Sequence, residues 1–176
     1  MPKNRRLSRA LGLLSLAMIA TGLAACSSSS VPPTTTTTTT TTTLPSAAQS
    51  TAAVKNAYSV LFDLADPELS PKLAVIQDGS ALASAMQTAL KSPLAKAAGG
   101  ASVSKVVIEM GAACKNEFLP SPCAKVTYEI LSPAHSVVLP STDGLAVYQH
   151  SKWVVAKLTI CVLLELENSG KVPPGC

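Results

Sequence analysis

Two periodicities divide the folded part of this chain. From Ala47 to Gly99 the apolar residues recur at helical spacing. Val54, Ala57, Tyr58, Leu61, Phe62 and Ala65 fall on one helix face. Asp66-Pro67 is expected to stop that helix, because proline disfavours helical geometry in the residue before it. Ser70-Pro71 predicts an N-cap followed by proline at the first helical position. Leu73 and Ile76 then face inward. Asp78-Gly79-Ser80 breaks this short helix and can cap the next. Leu82, Ala85, Met86, Ala89 and Leu90 form a further stripe, and Gly99-Gly100 closes the helical half.

Beyond Gly100 the period falls to two. Val106, Ile108 and Met110 alternate with Lys105, Val107 and Glu109, and Val126, Tyr128 and Ile130 alternate with Lys125, Thr127 and Glu129. Ser136 to Leu139 predicts a third short strand, Ser141-Thr142-Asp143-Gly144 a turn or loop, and Leu145 to His150 another strand. Ser151-Lys152 then turns the chain into Trp153 to Thr159. Ile160 to Leu166 either continues that strand or forms a short helix. Helices followed by an antiparallel meander predict an α+β domain with the helices on one sheet face. Val126, Tyr128, Ile130, Leu61, Phe62, Leu82 and Met86 are the expected inward positions.

The first 46 residues belong to neither pattern. Lys3, Arg5, Arg6 and Arg9 precede an apolar run from Ala10 to Ala20, and small residues lead to Leu23-Ala24-Ala25-Cys26. That is the layout of a secretory signal peptide. The run falls short of the roughly 20 apolar residues a membrane-spanning helix needs. Leu-Ala-Ala-Cys is the box at which bacterial lipoproteins are acylated on cysteine and then cut, here between Ala25 and Cys26. Residues 1–25 are therefore expected to be removed, leaving lipid on Cys26 and the domain outside the membrane. Residues 26–46 are rich in Ser, Thr and Pro and contain an unbroken run from Thr34 to Thr43. They cannot bury a core and are expected to form a disordered tether. A single α+β domain is expected over residues 47–176.

Removing the signal peptide changes the charge. The chain has 14 Lys/Arg and 10 Asp/Glu; without the four basic residues named above, 10 of each remain. The mature protein is close to neutral, with few aromatics and no basic stripe, which speaks against a nucleic-acid partner. Besides Cys26 there are four cysteines, Cys114, Cys123, Cys161 and Cys176. In an oxidising compartment four cysteines usually make two disulfides, with three pairings open. The strand pattern favours Cys114–Cys123, clamping a hairpin loop, and Cys161–Cys176, pinning the Pro-Pro tail back. No pair has the spacing of a redox centre or zinc knuckle, and His135 and His150 lie far from any cysteine pair. Neither metal nor cofactor is expected.

Several segments carry a resemblance. Ala124-Lys125-Val126-Thr127-Tyr128-Glu129-Ile130 is followed by Val138-Leu139-Pro140, Gly144-Leu145-Ala146-Val147 and Lys152-Trp153-Val154-Val155-Ala156. Thr159-Ile160-Cys161-Val162-Leu163-Leu164 and Pro173-Pro174-Gly175-Cys176 come next, with Ile76-Gln77-Asp78-Gly79 upstream. Their order and spacing over most of Ala47 to Cys176 resemble the C-terminal domain of the low-molecular-weight secreted antigen family of actinobacteria. That resemblance implies a cone-like fold similar to nuclear transport factor and ketosteroid isomerase, in an envelope protein without assigned chemistry.

Relatives of that fold include enzymes with a carboxylate base at the mouth of an apolar cone. Asp63 and Asp66, near Tyr58, are the helical acids that fit such a role, although solvated helix-end residues are the simpler account. Ser136 beside His135 is only a sequence neighbour, and His150 reads as an exposed hairpin residue. Trp153 fits core packing better than a ligand platform. The expected function is a surface-displayed, non-catalytic binding or structural module that carries an apolar small molecule or docks an envelope protein. The alternative is an extracytoplasmic isomerase or hydratase. Cys26→Ser is expected to block acylation. Wild-type chain partitions into the detergent phase, and the variant is released or retained uncleaved. Wild-type chain that stays aqueous, with no lipid mass at its N-terminus, would refute the anchor.

Overall fold

Ser46 starts the first helix. Its hydroxyl accepts from the Gln49 N–H at 3.3 Å, and the Gln49 side chain accepts from the Ser46 N–H at 2.9 Å. This reciprocal capping box satisfies two otherwise unpaired donors. The computed structural model describes residues 44–176. The expected signal peptide, Cys26 and the threonine run to Thr43 lie outside them. Helix α1 spans Ala47–Phe62 and buries Val54, Ala57, Tyr58, Leu61 and Phe62, the face expected from their spacing. It ends before Ala65 and Pro67 are reached. Asp63 is its C-cap, and the Asp63 carbonyl accepts from Lys72 Nζ at 2.5 Å. Lys72 is only 1 % exposed. A buried ammonium, favoured at the negative end of a helix, rather than proline, closes α1.

Helix α2 (Leu69–Ala74) begins after Glu68, one residue before the expected cap at Ser70. Pro71 still falls in the first turn, where its missing N–H leaves no helical bond unmade. A 3₁₀ turn (Gly79–Leu82) leads into α3 (Ala83–Ala89). Asp78 precedes the turn in left-handed geometry, but its side chain caps nothing. The Ser-Pro helix start occurs at Ser92-Pro93, where the Ser92 hydroxyl accepts from the Ala95 N–H at 3.1 Å and opens α4 (Pro93–Ala97).

Strands β1 (Gly100–Glu109), β2 (Cys123–Leu131), β3 (Val137–Gln149) and β4 (Lys152–Val155) form one open antiparallel sheet in chain order. Helix α5 (Ala112–Asn116) lies between β1 and β2. Helix α6 (Lys157–Glu167) follows β4, so Ile160 to Leu166 is helical and the strand from Trp153 ends at Val155. The class is mixed helix and sheet, with a final helix after the strands.

The expected turn at Ser141–Gly144 is absent, because β3 runs straight through it. Tyr128 pairs with Thr142 and Ile130 with Leu139, so β3 holds an extra residue around Pro140. At such a bulge proline forfeits no ladder bond. Gly144 faces the core opposite Val126. A Cβ there would stand 2.4 Å from Tyr58 Oη and 2.9 Å from Tyr128 Cε1. The glycine is needed for close approach, which the Asp-Gly pair disguised as a turn. The actual β3–β4 turn is made by His150 and Ser151, both at positive φ (49° and 61°).

The core lies between the helices and the sheet face carrying Val126, Tyr128 and Ile130, with Leu61, Phe62, Leu82 and Met86 buried against it. Trp153 is buried there too, its ring 5.5 Å from Tyr148. A smaller cluster on the opposite face joins Cys114, Leu119, Cys123, Val147, Val154 and Ala156 beneath α5. The disulfides are Cys114–Cys123 and Cys161–Cys176, with Cα atoms 5.7 and 5.6 Å apart. Closing such short loops is worth about 3 kcal/mol each in the chain-entropy model. Gly144→Ala is expected to cost about 2 kcal/mol by overpacking, read as a lower urea midpoint with an unchanged slope. An unchanged midpoint would show that the Tyr58 contact is loose.

Candidate binding groove

Strand β3 outruns its neighbour. β4 stops at Val155, which pairs with Ala146, so the part of β3 before Ala146 has no strand on that side. Helix α6 takes the place. The Leu145 N–H donates to Thr159 Oγ1 at 2.8 Å, and the Leu145 carbonyl accepts from the Ala156 N–H (2.8 Å), Tyr58 Oη (3.2 Å) and Thr159 Oγ1 (3.3 Å). A hydroxyl, a phenol and the Ala156 N–H thus satisfy the main chain of Leu145. Burial first, then the neighbouring Tyr128, push the Tyr58 phenol well above its ordinary pKa, partly offset by its bond with Thr159. Burial likewise pushes Tyr128 up to about 12.

Helix α6 and the outer sheet face enclose a groove of about 640 Å³. Its floor is the polar side of the strand alternation: Lys105, Val107 and Glu109 of β1, Lys125 and Thr127 of β2, and Asp143 and Leu145 of β3. Its wall is Leu158, Val162 and Leu166, spaced four apart on α6 and all exposed, with Thr159 and Leu163 between them. Burying such a stripe needs something outside this domain. At one end Lys125 Nζ lies 3.0 Å from Glu117 Oε1 and 3.6 Å from Glu109 Oε1. The Glu117 hydrogen bond first, then the charge of Glu109, raise the Lys125 pKa. Glu109 Oε2 is buried without a partner. Asp143 Oδ1 accepts from Thr127 Oγ1 at 3.1 Å. Lys105 makes no ion pair among the described residues.

The interior is nearly filled. A pocket of about 60 Å³ remains between α1, α3, α4, α6 and β2, lined by apolar side chains such as Phe62, Met86 and Leu164. Ligand cavities start near roughly 300 Å³. The one acid on its lining is Glu167, whose Oε1 accepts from the Ser92 hydroxyl at 2.9 Å. Burial raises the Glu167 carboxyl above its ordinary range, and the Ser92 bond partly reverses this.

Asp63 and Asp66 line neither cavity. Asp63 is exposed and offers only its carbonyl to Lys72; the Asp66 carboxylate accepts from the Glu68 N–H at 2.9 Å. His135 and His150 are exposed in turns. No three metal-ligating side chains converge, and no helix is long and apolar enough to cross a membrane, among the described residues. The sequence pattern left out Glu167 and the α6 stripe, although Leu158, Val162 and Leu166 carry a clear period of four once Ile160–Leu166 is taken as helix. No family model, no curated protein and no solved structure matches this chain.

The native-state pKa of Glu167 lies above its unfolded value, so this group favours folding most fully below the ordinary value of 4.5. That contribution is lost as pH rises through the raised native value. Glu167→Gln keeps an acceptor for Ser92 but does not titrate. Its unfolding midpoint is expected to gain on wild type as pH rises from below the carboxylate range to neutral. A difference independent of pH would refute the assignment.

Proposed function

We propose that this chain is a cell-surface lipoprotein whose domain is a non-catalytic binding module, held by lipid on Cys26 and a threonine-rich tether to the outer face of the membrane. The ligand is amphipathic and mostly apolar, and it lies in the groove between α6 and the outer sheet face. The supporting observation is the groove itself, which is of ligand size and has an exposed apolar wall beside a floor with free polar groups. The two disulfides fit an oxidising compartment. Membership of the low-molecular-weight secreted antigen family, with its cone-like fold, is part of the same reading. Helix α1 packed on one face of an open antiparallel sheet is compatible with it. An envelope protein laid along the α6 stripe is the other occupant consistent with this surface.

The enzyme alternative shifts to a new residue. A carboxylate base facing an apolar interior would be Glu167, not Asp63 or Asp66, because only Glu167 borders the interior pocket and has a raised pKa. Native mass spectrometry of membrane-extracted chain separates the two readings. Wild type is expected to carry a bound apolar molecule, lost at least several-fold in Val162→Glu and kept in Glu167→Gln. Retention by Val162→Glu would refute the groove. An envelope phenotype from Glu167→Gln, with folding and occupancy intact, would favour the enzyme.

A further inference from the structure

Helix α5 ends against local preference. The Glu117, Phe118 and Leu119 N–H groups donate back to Cys114, Lys115 and Cys114 carbonyls at 3.1, 2.9 and 3.0 Å. Glu117 is the C-cap, so Phe118 occupies the next position, at φ 57°. That left-handed site is ordinarily glycine or asparagine, and a bulky side chain there is an outlier. Packing does not compensate, because Phe118 is 94 % exposed. Neither backbone geometry nor burial explains a phenylalanine here.

The surroundings hold it rigidly outward. Cys114–Cys123 bridges the loop, Leu119 is buried beneath it, and Ser121 Oγ accepts from the Gly111 N–H at 2.8 Å, joining the loop's two ends. At the other end Met110 is also exposed. Glu117 is engaged by Lys125, whereas Lys115 is exposed and makes no ion pair among the described residues. The loop therefore presents two apolar side chains and one positive charge, Lys115, that makes no ion pair among the described residues.

We propose that the loop from Met110 to Pro122 is a membrane-contact element. Phe118 and Met110 enter the bilayer interface, and Lys115 meets anionic headgroups. The proposal rests on the lipid-anchor reading. Two apolar side chains are too few for a free-standing protein interface, which buries about 800 Å² per partner. They are enough for a domain already leashed to the surface, where effective concentration replaces intrinsic affinity. About 20 residues cannot span more than roughly 65 Å, a limit well above the radius of gyration of about 14 Å for a domain of this size, so the covalent leash does not dictate which side of the domain meets the bilayer. Because Glu117 lines the groove, docking through Phe118 brings that end of the groove to the lipid.

The test uses full chain in phosphatidylcholine vesicles with and without phosphatidylglycerol, in ordinary and brominated-acyl forms. Trp153 is the only native tryptophan and is buried, so its emission is a constant background to Phe118→Trp. The introduced indole is expected to shift to shorter wavelength and be quenched by brominated acyl chains, more strongly with phosphatidylglycerol. An indole still open to iodide on chains that float with the vesicles overturns the proposal. Chains that do not float overturn the anchor reading and this one with it. A blue shift that grows with protein concentration without vesicles assigns the loop to a second copy instead. Phe118→Gly is expected to raise the unfolding midpoint by about 4 °C and to abolish the slowing of Lys115 amine labelling by vesicles. A lowered midpoint would show that Phe118 serves the fold, against the proposal.

Discussion

A thirteen-residue strand beside a four-residue one leaves main chain without a partner, and the architecture answers that constraint. The answer converges on Leu145, the first β3 residue past the end of β4, where Thr159, Ala156 and Tyr58 supply its main-chain bonds. Three consequences follow from the same point. Helix α1 is fixed to the sheet through a phenol that must pass where a Cβ would stand, hence Gly144. Helix α6 is fixed alongside β3 rather than over the core alone. Its outward stripe then borders the open sheet face, and that border is the groove. An unmatched strand thus underlies both the close packing at Gly144 and the groove beside α6.

The alternation of β2 and the inner face of α1 were legible because each is set by one dominant demand, burial of a single face. Val126, Tyr128 and Ile130 stand where a period of two puts them. Legibility failed where two demands share a residue. Asp143-Gly144 has the chemistry of a turn, yet the glycine answers to Tyr58, distant in sequence. Pro67 has the chemistry of a helix stop, yet Lys72 reaches back to end α1 earlier. The helical half holds two Ser-Pro pairs with similar signals, and only Ser92 caps, because only there does the hydroxyl also find an acid, Glu167. That acid belongs to a helix 75 residues away in sequence, so a local pattern carries no trace of it.

The candidate site was less legible than the fold for a similar reason. A cone mouth suggested acids near α1, and attention fell on Asp63 and Asp66. The interior is closed by close-packed aromatics, Tyr58, Phe62 and Tyr128, with centroids 5.0 to 6.2 Å apart, so little space remains for chemistry inside. The space lies on the face that alternation marks as polar, where Lys105, Lys125 and Thr127 look like ordinary solvated residues until α6 is set beside them.

The disulfide pattern has a consequence for how such a chain matures. Among the described residues each cysteine pairs with its neighbour in sequence, across separations of 9 and 15 residues. In a chain delivered N-terminus first into an oxidising space, Cys123 arrives when Cys114 is the sole free domain thiol. Cys161 then finds that pair consumed and waits for Cys176. Order of arrival alone selects one of the three pairings, so oxidation can proceed vectorially during translocation, with no crossed bridge to be reshuffled afterwards.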